Sequence, residues 1–283
     1  MKVLRPLFLF LLLSPGFAAA QIALDQDVDL EDVDTSYIYP VVMGTGVYQI
    51  DGRKLAMLTI PISITQQRED DDDHEYGLKW YAPVTIGYDQ ISDTNWLDKV
   101  LTDELVTLSI MPGAQLTIPL SDNWLIRPFG QAGIGQDFVS HETFALAALG
   151  VRVLGTWKYD SGWEVRWGGA VRYAAEYQFK SHNDNGFALM ETGVDFRRDT
   201  GFSVMENKIS AGVYYELQSY LPEWTLGEYL VDRSNIHEVH ELGISMGLAK
   251  PRKVFGVSLT RVRVGYKKGS GVKGWTFGTE FPF

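Results

Sequence analysis

The sequence predicts an all-β chain that closes into a transmembrane antiparallel up-and-down barrel of twelve strands. Three observations carry that expectation. Apolar and polar residues alternate with a period of two over long runs, short turn signals alternate with long connections, and the chain opens on an export signal.

The first twenty residues read as a signal peptide. Lys2 and Arg5 supply the positive start, Leu7 to Leu13 the apolar run, and Ala18-Ala19-Ala20 the small-residue cleavage site. The mature chain then begins near Gln21, after export through the Sec pathway. No later stretch approaches the ~20 consecutive apolar residues of a membrane helix, so hydropathy alone suggests a soluble acidic protein of formal net charge -11. Composition argues otherwise. Tyr, Trp, Phe and Gly are abundant, and barrels escape hydropathy because only alternate residues face lipid. Cysteine is absent, which excludes a lipid-modified N-terminal cysteine and suits a chain stabilised by a closed sheet rather than by disulfides.

The alternation is clearest from Trp163 to Phe179. Trp163, Val165, Trp167, Gly169, Val171, Tyr173, Ala175, Tyr177 and Phe179 share one face; Glu164, Arg166, Arg172 and Glu176 lie on the other. Similar patterns run through Leu78–Asp89, Val106–Ile118, Leu149–Tyr159, Ile209–Gln218 and Glu241–Leu248. Twelve segments follow, starting near residues 36, 54, 78, 105, 123, 143, 162, 186, 204, 238, 254 and 272. The first has no clean phase between Tyr37 and Ile50. The eleventh slips phase near Thr260, as a bulge would make it. A soluble sandwich or lipocalin-like barrel also alternates, but strands of roughly 9 to 15 residues belted by Trp and Tyr suit a bilayer. One face then meets lipid, and the charged face lines a wet lumen.

An even strand number puts both ends on the periplasmic side, where turns are short. Counting back from the C-terminus, these turns fall at Lys250-Pro251-Arg252, Asp199-Thr200-Gly201, Asp160-Ser161-Gly162 and Ser121-Asp122-Asn123. The long stretches Pro222–His237 and Asp89–Glu104 lie outside. Arg68–Tyr76 departs from the pattern as a long periplasmic connection, and Asp51-Gly52 as a tight outer one.

The C-terminal run Gly274–Phe283 ends on Phe with aromatic residues at alternate positions. It resembles the signal that outer-membrane proteins present to the barrel assembly machinery, which implies an assembly role for Trp275, Phe277, Phe281 and Phe283; a terminal edge strand suits recognition by strand addition. Leu125-Ile126-Arg127-Pro128-Phe129-Gly130-Gln131-Ala132-Gly133-Ile134-Gly135 and the Asp160-Ser161-Gly162-Trp163 turn resemble the translocator barrel of autotransporters, a twelve-stranded family. That resemblance implies a bacterial outer-membrane barrel over residues 36–283. Autotransporters carry a large passenger ahead of the barrel; here about fifteen residues separate signal and first strand. The expectation is therefore a solitary barrel with no passenger to secrete, acting as a scaffold or as a narrow or plugged pore.

Strand phase puts Arg127, Arg152, Glu164, Arg166, Arg172, Glu176, Glu191, Asp195, Arg197, Glu216, Arg261 and Arg263 on the lumen face. Mixed charges there can define a selective pore; the stronger reading is a structural ion-pair network, because buried charges must be paired. The acidic segment 21–35, with Asp25, Asp27, Asp29, Glu31, Asp32 and Asp34, has two readings. As a helix of ~22 Å it would plug an Arg-lined lumen, much as autotransporter barrels are plugged by a helix. As a solvated periplasmic tail it would behave as charge runs usually do.

Catalytic signals are weak. Lys180-Ser181-His182-Asn183-Asp184-Asn185-Gly186 faintly resembles the His-containing segment of outer-membrane phospholipases but lacks the following Ser-Asn, and His141 beside Glu142 is a bare candidate acid–base pair. His237-Glu238-Val239-His240-Glu241 has one residue too few for the zinc-protease motif. Glu69-Asp70-Asp71-Asp72-Asp73 lacks calcium-loop spacing. No enzyme, cofactor or metal site is expected, and an acidic chain without a basic run offers nucleic acid nothing. The expected partners are outer-membrane lipids, lipopolysaccharide and the assembly machinery. An enzyme at the extracellular rim remains the alternative.

Overall fold

The computed structural model describes residues 37–50, 53–68, 76–89, 107–204, 207–222, 236–254 and 257–279. The expected signal peptide, the acidic segment 21–35, the acidic run 69–73, most of the Pro222–His237 loop and the terminal Phe281 and Phe283 lie outside these residues.

One short helix, α1 (Ile38–Met43), precedes fifteen strand segments: β1 (Gly46–Ile50), β2 (Arg53–Ile60), β3 (Ser63–Arg68), β4 (Tyr76–Tyr81), β5 (Val84–Asp89), β6 (Thr107–Ile110), β7 (Gly113–Ser121), β8 (Trp124–Asp137), β9 (Glu142–Lys158), β10 (Trp163–Gln178), β11 (Asp184–Val204), β12 (Asn207–Pro222), β13 (Glu238–Val254), β14 (Val257–Gly269) and β15 (Val272–Gly278). Three pairs of segments are halves of one strand. Pairing runs in one register across each gap: Ile60 faces Val84 and Ser63 faces Tyr81, while Ile110 faces Ile134 and Gly113 faces Gln131. Pro61, Pro83 and Pro112 occupy the gaps, and that register sets Pro61 opposite Pro83. Proline has no N–H, so the ladder loses a bond without orphaning a donor. Ala82 N donates to Ile62 O at 2.8 Å, Met111 N to Pro83 O at 3.1 Å and Ala132 N to Pro112 O at 3.0 Å, carrying the sheet across. Side-chain phase survives too, since Ile60, Ile62 and Ile64 all point outward.

With the halves joined, twelve antiparallel strands form a closed barrel, sealed where β1 pairs with β15. Its outside is apolar: Leu149, Val171, Leu242 and Ile244 are 61%, 56%, 63% and 66% exposed, whereas the inward Phe144 is 1% exposed. A continuous apolar exterior belongs against lipid tails. Aromatic residues bound it. At one end Trp124 packs edge-on against Trp157 and Trp167, at 5.3 and 5.7 Å; at the other, Tyr266 packs against Trp275 at 5.2 Å. From Trp163 to Tyr177 strand β10 rises about 46 Å along its axis, or roughly 35 Å of height at the usual tilt. That is an apolar band plus both interfacial girdles.

The connections at residues 122–123, 159–162, 205–206 and 255–256 lie at the end where β15 finishes, termed the turn rim. Those at 90–106, 138–141, 179–183 and 223–235 lie at the opposite, loop rim. Connection 69–75 belongs to the turn rim and 51–52 to the loop rim, so both departures from the length rule are properties of the barrel.

Three expectations need correction. The first strand does not start near residue 36: Ile38–Met43 is helical, and strand begins only at Gly46. Asp199-Thr200-Gly201 is not the hairpin turn but a bulge inside the β11–β12 ladder, where the register shifts between Asp199 and Ser203. The Asp199 carboxylate accepts Gly201 N at 2.9 Å, and Thr200 Oγ1 donates to Ile209 O at 2.8 Å, so side chains satisfy the displaced backbone. Lys250-Pro251-Arg252 likewise lies within β13, where the register shifts between Gly247 and Arg252. The slip at Thr260 lies opposite, and the extra residues are on β13.

Gly162 closes the β9–β10 turn at φ 79°, donating to Tyr159 O at 3.0 Å. Gly162→Ala should lower the unfolding free energy by about 1 kcal/mol, the cost of a Cβ in left-handed backbone. Gly130→Ala, where an added Cβ meets nothing within 4 Å, should leave it unchanged. Urea titration followed by tryptophan fluorescence in micelles measures both.

Candidate functional site

The inside of the barrel is layered, with an apolar cluster in its loop-rim half. Phe144, Leu146, Ala148, Ala174, Phe187, Leu189, Tyr220, Val239 and Val272 turn inward and pack around α1, through Tyr37, Ile38 and Met43. Tyr37 stacks on Phe144, ring centroids 4.2 Å apart and 2° from parallel. The expected lumen residue Glu176 is buried in this layer too, beside the apolar cluster.

Lumen side chains satisfy both ends of this helix. Glu176 Oε2 accepts the backbone N–H of Tyr37 at 2.7 Å and of Ile38 at 2.6 Å, while Gln178 Nε2 donates to its other oxygen at 3.1 Å. A carboxylate is the favoured acceptor for the unpaired donors of a helix start. At the other end Tyr48 Oη donates to Met43 O at 3.0 Å and Gly44 O at 3.1 Å. Gly44, at φ 81°, turns the chain into β1. Pro40 sits in the first turn, where no intrahelical donor is needed.

Around Tyr37 the loop rim is tied together. Its hydroxyl donates to Asp137 Oδ2 at 2.8 Å, and Asp137 Oδ1 accepts Val139 N and Ser140 N at 2.8 and 3.0 Å. Burial pushes the Tyr37 phenol above its ordinary range; Ser140 opposes the push and Asp137 adds to it, so the group donates. Glu142 accepts Lys180 N at 2.7 Å and Ser181 N at 3.1 Å, fastening the β10–β11 loop to β9. Ser181 Oγ donates to Gln178 Oε1 at 2.9 Å, while His182 Nδ1 lies 3.1 Å from Lys180 O. The two residues thus have separate partners and are not arranged as a nucleophile–base pair.

Below the apolar layer six strands contribute one charged circuit. Arg172 pairs with Glu191. Gln218 Nε2 donates to Glu191 Oε1 and Glu216 Oε1, both at 2.9 Å, and Gln218 Oε1 accepts Lys267 Nζ at 3.0 Å. Glu241 Oε1 accepts Tyr214 Oη at 2.5 Å, Thr276 Oγ1 at 2.6 Å and Arg263 Nη1 at 3.0 Å. Lys267 Nζ stands 3.5 Å from its other oxygen, and Arg263 Nη1 3.7 Å from Glu216 Oε2. Gly243 and Gly265 make room for the Tyr214 hydroxyl, which an added Cβ would meet at 2.5 and 2.3 Å.

Nearer the turn rim, Arg197 bridges Asp195 at 2.6 Å and Glu164 at 3.4 Å, and Glu164 also pairs with Arg166 at 2.6 Å. Arg261 donates to Ser245 Oγ and Ser210 Oγ, each at 2.7 Å. Across the barrel Arg152 donates to Gln115 Oε1 at 3.0 Å and lies 4.4 Å over the Phe129 ring; Arg127 is half-buried on the same inward face.

Sequence reasoning therefore named most of the charges but left out Glu241 and Lys267, the hub of the circuit. The signal was present, since Glu241 holds the polar phase of β13, but the neighbouring histidines drew attention to a metal motif. Instead His240 points outward and hydrogen-bonds Tyr215 Oη at 2.7 Å. Among the described residues no cluster could hold a metal ion. Trp275 and Phe277, from the C-terminal signal, are exposed on the outer face.

Closed antiparallel strands, an apolar exterior between aromatic girdles and a filled, ion-paired interior together define a β-barrel of membrane type. The chain has the fold of an autotransporter translocator: it is similar to the crystal structure of the β domain of the Bordetella autotransporter BrkA, with TM-score 0.59 and 11% sequence identity, over 82% of this chain and 93% of that one. No protein-family model matches the chain, and no curated relative matches it.

Glu241→Leu would leave Arg263 with Glu216 and Lys267 with the Gln218 amide, and should cost on the order of 3 kcal/mol. Thr276→Val, which removes one of three donors, should cost about 1 kcal/mol. Guanidinium unfolding of the refolded barrel ranks the two.

Proposed function

We propose that the protein is an integral barrel of the bacterial outer membrane that acts as a sealed scaffold rather than an open pore. The observation that carries this reading is the filled lumen. Helix α1 and its apolar cluster occupy the loop-rim half, and paired charges line the wall below it. A conducting pore needs a continuous water path, whereas α1 packs against inward side chains of several strands in that path.

The location is supported by the apolar exterior, the girdles and the BrkA-like fold. In this reading the cell is Gram-negative, residues 1–20 direct export through the Sec pathway, and the loop rim faces outward because longer connections are extracellular. The barrel assembly machinery would engage the C-terminal strand, where Trp275 and Phe277 stand at alternate outward positions. A structural role is preferred to catalysis because Ser181 and His182 have different partners.

Planar-bilayer recording of the purified protein tests the seal. Wild type should show no stepwise conductance, and a variant lacking residues 37–43 should show it. Steady conductance of the wild type at the level of the variant would overturn the proposal.

A further inference from the structure

Among the described residues, the outer face carries a concentration of positive charge at the loop rim. At the loop rim of the last and first strands, directly paired outward residues form a row: His240 on β13, Lys268 on β14, Lys273 on β15, Gln49 on β1 and Lys54 on β2. Lys268 and Lys273 are exposed and face each other across a tight hairpin. Opposed like charges destabilise a sheet, their Cβ atoms lying only about 4.5–5.5 Å apart. Neither lysine has an ion-pair partner among the described residues. Glu238, exposed on the same face, lies two residues along β13 from His240.

Directly beneath this row, two residues toward the middle of the barrel, runs a second one: Leu242, Tyr266, Trp275 and Val47. Tyr and Trp at such positions mark the membrane–water interface. The lysines therefore stand one step outside the apolar band, at the depth of lipid headgroups. Three strand spacings separate Lys268 from Lys54, about 14 Å. That is wide for a single phosphodiester, and suits a headgroup carrying two phosphates on a sugar backbone.

We infer that this face binds the phosphorylated sugar headgroup of lipid A, with Lys268 and Lys273 sharing one phosphate and Lys54 reaching the second. A dianionic phosphate between Lys268 and Lys273 converts their repulsion into two attractions, and the girdle beneath sets the depth at which the acyl chains begin. The inference rests on the outer-membrane reading above, which places the loop rim in the outer leaflet.

The full mature chain is refolded into nanodiscs of phosphatidylcholine alone, with added phosphatidylglycerol, or with added purified lipid A. Lipid retained after transfer to mild detergent is then counted by native mass spectrometry. Wild type should keep lipid A at least about tenfold better than the Lys54→Gln/Lys268→Gln/Lys273→Gln variant, and the matching triple arginine variant should restore retention. Both proteins should hold phosphatidylglycerol weakly and equally. Equal retention of lipid A by wild type and the glutamine variant, or phosphatidylglycerol held as tightly as lipid A, would overturn the inference alone. Heat-modifiable gel mobility reports folding in each disc separately; a wild type that folds into none of them strikes the membrane reading itself, and the inference with it.

Discussion

A polar group turned into a closed barrel must find its partner inside that barrel. This constraint organises the whole interior. Alternate residues of every strand point inward, where lipid offers them no polar partner. The inward carboxylates are accordingly met by guanidinium, ammonium, amide, hydroxyl or backbone N–H groups, from their own strand, from its neighbours or from the α1 segment. Glu241 illustrates the result, with three donors on one oxygen and Lys267 near the other. An unpaired carboxylate there would be among the most destabilising features a fold can hold.

The same rule accounts for α1. A six-residue helix gains little from its own hydrogen bonds, since most of its backbone groups are end groups. It persists because the barrel supplies the missing partners: Glu176 for the first N–H groups and Tyr48 for the last carbonyls. Apolar contacts with Phe144, Phe187 and Leu189 fill what would otherwise be a cavity. Helix and wall stabilise each other.

Irregularities in the sheet follow a related logic. The proline gaps fall in consecutive strands, with Pro61 opposite Pro83, so neighbouring missing donors coincide and the register continues. The bulges at Asp199–Ser203 and Gly247–Arg252 shift register instead, and both lie near the turn rim. Tight-turn chemistry such as Asp-Thr-Gly reads identically in a hairpin and in a bulge, because both need a positive φ and a side-chain acceptor. The sequence therefore places those two turns a few residues early, while β11 and β13 keep their identity as strands.

The strand number, the two faces and most of the inward charges, though not Glu241 and Lys267, are legible in the sequence alone. They rest on a two-residue period that each strand shows locally and that no neighbour can alter. Phase placed Arg172, Glu191, Glu216 and Arg263 indoors without any knowledge of the fold. Only the tertiary structure decided which charge meets which, because those partners come from six different strands brought together by closure. It also decided that Ile38–Met43 is a helix. Its anchor, Glu176, stands 139 residues from Tyr37, and no local pattern can report a hydrogen bond made at that separation.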